Sequence, residues 1–84
     1  MPKDNILPGE PVDVVVYFKK NKFIPKYFAF NSDKHIIKKI QFTWCEKKGT
    51  QAFNIFSVTD ENNTSFTLCF NRENLQWRIL SENL

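Results

Sequence analysis

The side chains best suited to chemistry are few: one histidine, His35, and two thiols, Cys45 and Cys69. Acid–base or nucleophilic catalysis needs such groups set against a base or an orienting carboxylate. No serine here sits in a nucleophile motif, and the residues around His35 do not complete a triad. His35 therefore reads as a strand histidine, solvated or partly packed. Together with the two cysteines it could offer zinc donors, but no C-x-x-C pair of structural spacing occurs, and both thiols read as inert. Cys45, close to Lys47 and Lys48, is the one whose thiolate its neighbours favour. Gly9 and Gly49 are the only glycines, too few for a loop that cradles phosphate. Asp60 and Glu61 are adjacent in a predicted turn and point apart, so they read as turn chemistry and solubility. The inventory argues against an enzyme: no catalytic residue, metal, cofactor or small-molecule substrate is expected.

What remains is charge and aromatic surface. The formal net charge of +3 conceals an uneven distribution: residues 19–48 hold nine lysines against Asp33 and Glu46, a local balance of +7. Such a segment makes a positive patch if its residues share a face. The lysines are Lys19, Lys20, Lys22 and Lys26 around a first hairpin, Lys34, Lys38 and Lys39 along a third strand, and Lys47 and Lys48 in the loop after it. None is arginine, so contact with a polyanion would be directed at its backbone and would depend strongly on salt. Tyr27 and Phe28 lie among them and could stack on unpaired bases. The plainer alternative is that the lysines protect edges and turns from aggregation.

Positioning these residues is the work of strands. From Val12 the chain alternates, with Val12, Val14, Val16 and Phe18 on one face and Asp13, Val15, Tyr17 and Lys19 on the other. Polar breaks at Lys19–Lys22, Asn31–Asp33, Cys45–Gln51, Asp60–Asn63 and Asn71–Asn74 separate six β-rich runs. Pro25 marks the second run as an edge or a bulge. The third, Lys34–Trp44, is long enough to require a bend, with Ile36, Ile40, Phe42 and Trp44 read on one face. The pattern predicts an all-β domain: an antiparallel meander of about six strands, closed or nearly closed into a small barrel of SH3-like type, over residues 12–84. An irregular arm over residues 1–11, rich in proline, precedes it.

At 84 residues the chain has room for one core, and its aromatics are large enough to build it without a disulfide or a metal. Phe42, Phe56, Phe66, Leu68 and Trp77 are expected inside. Tyr17, Phe30, Trp44 and Phe53 are in excess of that need and are the candidates for a protein interface. The N-terminal residues lack the pattern of a signal peptide, and the longest apolar run, Val14–Phe18, is too short to span a bilayer. A cytoplasmic protein with free thiols and no membrane association is expected.

The segments Pro11-Val12-Asp13-Val14, Phe28-Ala29-Phe30-Asn31, Lys39-Ile40-Gln41-Phe42-Thr43-Trp44, Phe56-Ser57-Val58, Phe66-Thr67-Leu68 and Trp77-Arg78-Ile79 carry a resemblance. In this order they resemble a family of uncharacterised small all-β bacterial domains, some encoded beside translesion DNA polymerases. The resemblance implies a compact β-barrel and supplies no catalytic or binding residues. Members carry Gly and Arg where this chain has Ser32-Asp33-Lys34, so a function shared through that turn does not carry over.

Two readings follow. The first is a non-catalytic binding module whose basic face contacts nucleic acid. The second is a protein-interaction module, either a homodimer or an accessory subunit, joined through the surplus aromatics.

Overall fold

The computed structural model describes residues 9–82, with side chains over 9–80. Six strands follow one another among the described residues, with no helix between them: β1 (Glu10–Lys19), β2 (Lys22–Phe30), β3 (Asp33–Lys48), β4 (Gln51–Asp60), β5 (Ser65–Asn71) and β6 (Gln76–Glu82). Each pairs antiparallel with the next, and β1 returns to β6 to close a barrel. The first strand starts earlier than its alternation predicts, because Glu10 and Pro11 already pair with Ile79 and Arg78. Residues 1–8 of the predicted arm lie outside the described residues.

Local chemistry sets the tight turns. Lys20 and Asn21 both have positive φ (50° and 69°), as do Asn31 and Ser32 (55° and 67°). A two-residue loop with both central residues left-handed matches the right-handed twist of the strands it joins. Asparagine tolerates that conformation, which is why these breaks become hairpins.

Strands β1 and β3 are each shared between two neighbours. Glu10–Val12 of β1 pair with β6, whereas Asp13–Lys19 pair with β2. Asp33–Ile36 of β3 pair with β2, and from Ile37 the strand pairs with β4. The β1–β2 and β3–β4 ribbons therefore part company beyond Ile36. The β1–β2 ribbon extends as a two-stranded arm, whereas β3 and β4 continue with β5 on the far side of β4, and among the described residues the second edge of β3 has no strand beside it there.

Register slips decide which side chains point inward. One extra residue, Lys38, lies between the Ile37↔Asp60 and Lys39↔Thr59 pairs, and another, Gln41, between Ile40↔Val58 and Phe42↔Ser57. Each slip reverses the alternation, so Ile37 and Ile40 pack on the core while Phe42 is turned out and 69% exposed. Phe42 is thus not a core residue, contrary to its period-two pattern. Phe56, Phe66, Leu68 and Trp77 are buried as expected, around Phe28, Val58 and Ile79. The aromatic rings meet edge-on or tilted: Phe28 and Phe66 at 5.2 Å, Phe23 and Phe70 at 5.2 Å, Phe70 and Trp77 at 4.9 Å. Each such ring removed from water contributes roughly 1.5–3 kcal/mol, which lets so small a barrel hold without a staple. A second, smaller cluster of Phe53, Ile55, Cys69 and Leu80 lies apart from this core. Leu75 belongs to the β5–β6 turn, with positive φ and an exposed side chain, rather than to the alternation of β6.

Candidate nucleic-acid interface

Paired residues on neighbouring strands share a face of the sheet, so the register lays out the surface of β1, β2 and β3 row by row. Val12, Val14 and Val16 turn inward onto the core, which leaves Asp13, Val15, Tyr17 and Lys19 outward. The rows then run Lys19–Lys22, Tyr17–Ile24, Val15–Tyr27–Ile36 and Asp13–Ala29–Lys34. A strip of aromatic and aliphatic side chains is framed by lysine at both ends. Tyr17 is 58% exposed at its centre. Lys26, the extra residue where β2 slips against Val15 and Val16, places its ammonium 5.2 Å from the Tyr17 ring centre. The Lys34 ammonium lies 4.2 Å from the ring centre of Tyr27. Both contacts are cation–π pairs, worth about 0.5–1 kcal/mol at exposed sites. Asp13 is the one acidic residue on these rows. Among the described residues no lysine pairs with a carboxylate, the only ion pair being His35 with Asp60. Among the described residues Asp13 alone offsets the lysines of these rows, and the face stays net positive.

The structure divides the lysines predicted to converge. Lys19, Lys22, Lys26 and Lys34 share the outer β1–β2–β3 face, and Lys20 stands exposed in the turn at its end. Lys38 and Lys39 follow the point where β3 leaves β2, and Lys47 and Lys48 sit at the far tip of the β3–β4 ribbon. Pairing between the second and third strands is too short to gather all nine. Phe28 cannot stack on a base: it is 0% exposed, pointing inward opposite Val14 and His35. Of the candidate interface aromatics, Tyr17 and Trp44 are exposed, but Phe53 is 8% exposed within the smaller cluster and Phe30 packs on the main core. Ile24 and Ile36 complete the outer face. Their contribution depends on a cross-strand register that one strand's periodicity does not contain.

At the inner end of β3 the fold makes a pair that the sequence hides. His35 Nδ1 lies 2.9 Å from Asp60 Oδ2, twenty-five residues away. The backbone N–H groups of Asn62 and Thr64 both donate to Asp60 Oδ1 at 2.9 Å. Glu61 accepts from the Ile36 N–H at 2.8 Å, and Lys38 donates to Asn63 Oδ1 at 2.8 Å. The β4–β5 turn is thereby tied to the start of β3 at three points. Phe28 stacks on the imidazole at 5.0 Å and Phe66 meets it edge-on at 5.1 Å. Burial pushes the Asp60 carboxyl up, but the hydrogen bonds from His35, Thr64 and Asn62 outweigh it and hold the carboxyl below 3.8. Asp60 is thus a buried structural acceptor rather than a solubilising turn residue.

This pair has the look of two members of a triad, yet no thiol joins it. Cys45 is exposed on the β3–β4 ribbon within 3.5 Å of Asn54 Oδ1. Cys69 is buried in the smaller cluster, where burial pushes its thiol up to about 11. Among the described residues no group of three or more His, Cys, Asp or Glu side chains is placed to hold a metal ion. No described helix is long and apolar enough to cross a membrane. An open groove of about 440 Å³ lies where β1 parts from β6, lined by Val12, Val14, Leu75 and Trp77, with Asp13 its one titratable side chain.

No family model matches this chain, and neither a curated protein nor a solved structure does.

Proposed function

We propose that the protein is a non-catalytic binding module that contacts nucleic acid through the outer face of β1, β2 and β3. The observation that carries this reading is the row structure just described, in which Lys19, Lys22, Lys26 and Lys34 surround two tyrosines with no carboxylate paired to any of them among the described residues. Uncompensated lysines attract a phosphate backbone by displacing its condensed counterions, so affinity falls as salt rises. Four such contacts on a single strand correspond to a slope of roughly −3 in log affinity against log salt.

Fluorescence anisotropy of a labelled random oligonucleotide, at about 50 mM and about 200 mM salt, tests the reading. Replacing Lys22 and Lys34 together by glutamate is expected to lower affinity by at least about tenfold at low salt and to flatten the salt slope. The same charge change at Lys47 and Lys48, on the other ribbon, is expected to cost much less. Equal losses from the two double variants would reduce the effect to net charge, and no binding at low salt would end the proposal.

A second reading is a self-associating or accessory subunit joined through the β3–β4 ribbon. It is favoured by Phe42 and Trp44, exposed at 69% and 42% beside the edge of β3 that no described strand covers. Sedimentation of the wild type and of Phe42→Ser across a range of concentrations tests it. A monomer at every concentration excludes the homodimer.

A further inference from the structure

Resting on the basic-face reading, we infer that the nucleic acid recognised is single-stranded, with unpaired bases stacking on Tyr17 and Tyr27. The two rings stand on the same outer face, in adjoining rows of neighbouring strands. One row and the extra residue Lys26 separate them on β2, which sets the rings farther apart than the about 3.4 Å between stacked nucleotides of one strand. The spacing lets each ring take its own base from a strand whose bases have separated.

Each tyrosine also comes with its own cation, Lys26 over Tyr17 at 5.2 Å and Lys34 over Tyr27 at 4.2 Å. Each ammonium occupies a π face of its ring at the end of a flexible side chain that an incoming base can displace. The displaced ammonium is then free to pair with a phosphate of the same strand. The arrangement thus repeats as a unit of one ring for the base and one lysine for the phosphate. A duplex cannot use it, because its bases show their faces only to one another.

Duplex recognition would need something else from this face. The β1–β2 tip is a two-stranded ribbon of a kind that can enter a major groove, where Asn21 and the ammonium groups of Lys19, Lys20 and Lys22 are the side chains able to reach base edges. Tyrosine, phenylalanine and isoleucine make up the rest between Tyr17 and Ile24. A duplex would be held there by charge and hydrogen bonds, without the added stacking.

The test compares a labelled oligothymidine of about 12 nucleotides with a random duplex of similar length, using the full chain at low salt. The single strand is expected to bind at least about fivefold more tightly. Tyr17→Ala should lower single-strand affinity by at least about fivefold, with duplex affinity and the salt slope unchanged. Tyr17→Phe and Tyr27→Phe keep the ring and should retain binding. Because Tyr27 is half-buried, Tyr27→Leu is the gentler truncation, with its fold checked by circular dichroism and thermal melting. Equal binding of the two probes, or no loss in Tyr17→Ala, overturns this inference while leaving the basic face intact. Loss of all binding in the wild type overturns both.

Discussion

A carboxylate that is 1% exposed persists in the wall of this barrel because three donors converge on it. Isolated, such a charge would be costly to bury. Held by an imidazole and two backbone N–H groups, it becomes the knot that ties the β4–β5 turn to β3. The pH dependence follows from the direction of its shift. The folded carboxyl titrates below the ordinary value of 3.8, so the unfolded chain takes up the proton first as pH falls. The stabilisation is fully present above 3.8 and drains away as pH drops through the lower folded value. Urea midpoints measured from neutral pH down to about 3 should fall over the acid end of that range. Asp60→Asn should cost roughly 2–4 kcal/mol at neutral pH and remove much of the acid dependence. An unchanged acid profile in Asp60→Asn would show that other carboxyls govern it.

At the scale of the element, β3 is the strand that organises the surface. Its two one-residue slips, at Lys38 and Gln41, bend it from one neighbour to the next and rotate Phe42 out of the core. A phenylalanine in that position contributes little to stability. Phe42→Ser should change the unfolding free energy obtained from urea melts by no more than about 0.5 kcal/mol, whereas Phe28→Ala, at a fully buried site, should cost about 3–5 kcal/mol. Comparable losses at the two positions would mean that the face of β3 beyond Gln41 is covered in solution. The same slips explain why Lys38 and Lys39 do not join the lysines of the first hairpin, although they are close to Lys34 in sequence.

The whole molecule depends on a short seam. Closure of β1 on β6 rests on three register pairs, Glu10↔Ile79, Pro11↔Arg78 and Val12↔Trp77, and Pro11 has no N–H to give the ladder. Gly9 strengthens the seam by accepting a 2.7 Å hydrogen bond from the Arg78 guanidinium. Its φ of +142° suits glycine, and a Cβ there would collide with the Ile79 carbonyl oxygen. Gly9→Ala should therefore destabilise the fold by roughly 1–3 kcal/mol through its backbone alone. That is a drop in melting temperature of at least about 4 °C. Faster exchange of the β6 amides than of those in the β4–β5 hairpin would place the opening at this seam, and an unchanged melting temperature would show that Gly9 has no part in closing it.

Much of this molecule is written locally. Alternation in Val12–Phe18 and in Phe66–Phe70, with left-handed Asn21 and Asn31 between strands, is enough for an antiparallel meander, because side-chain period and turn type are properties of neighbouring residues. The length of the chain limits it to one core. Which strand faces which, and in what register, depends on pairings between distant residues, and there the sequence is silent. The slips in β3 sent Phe42 outward, and the sharing of β3 between β2 and β4 left only Lys34 of its lysines beside Tyr27. The inward turn of Phe28 and the burial of Phe53 were decided by the same long-range register. So was the meeting of His35 with Asp60, since one strand alone does not reveal the partner that another brings to its side.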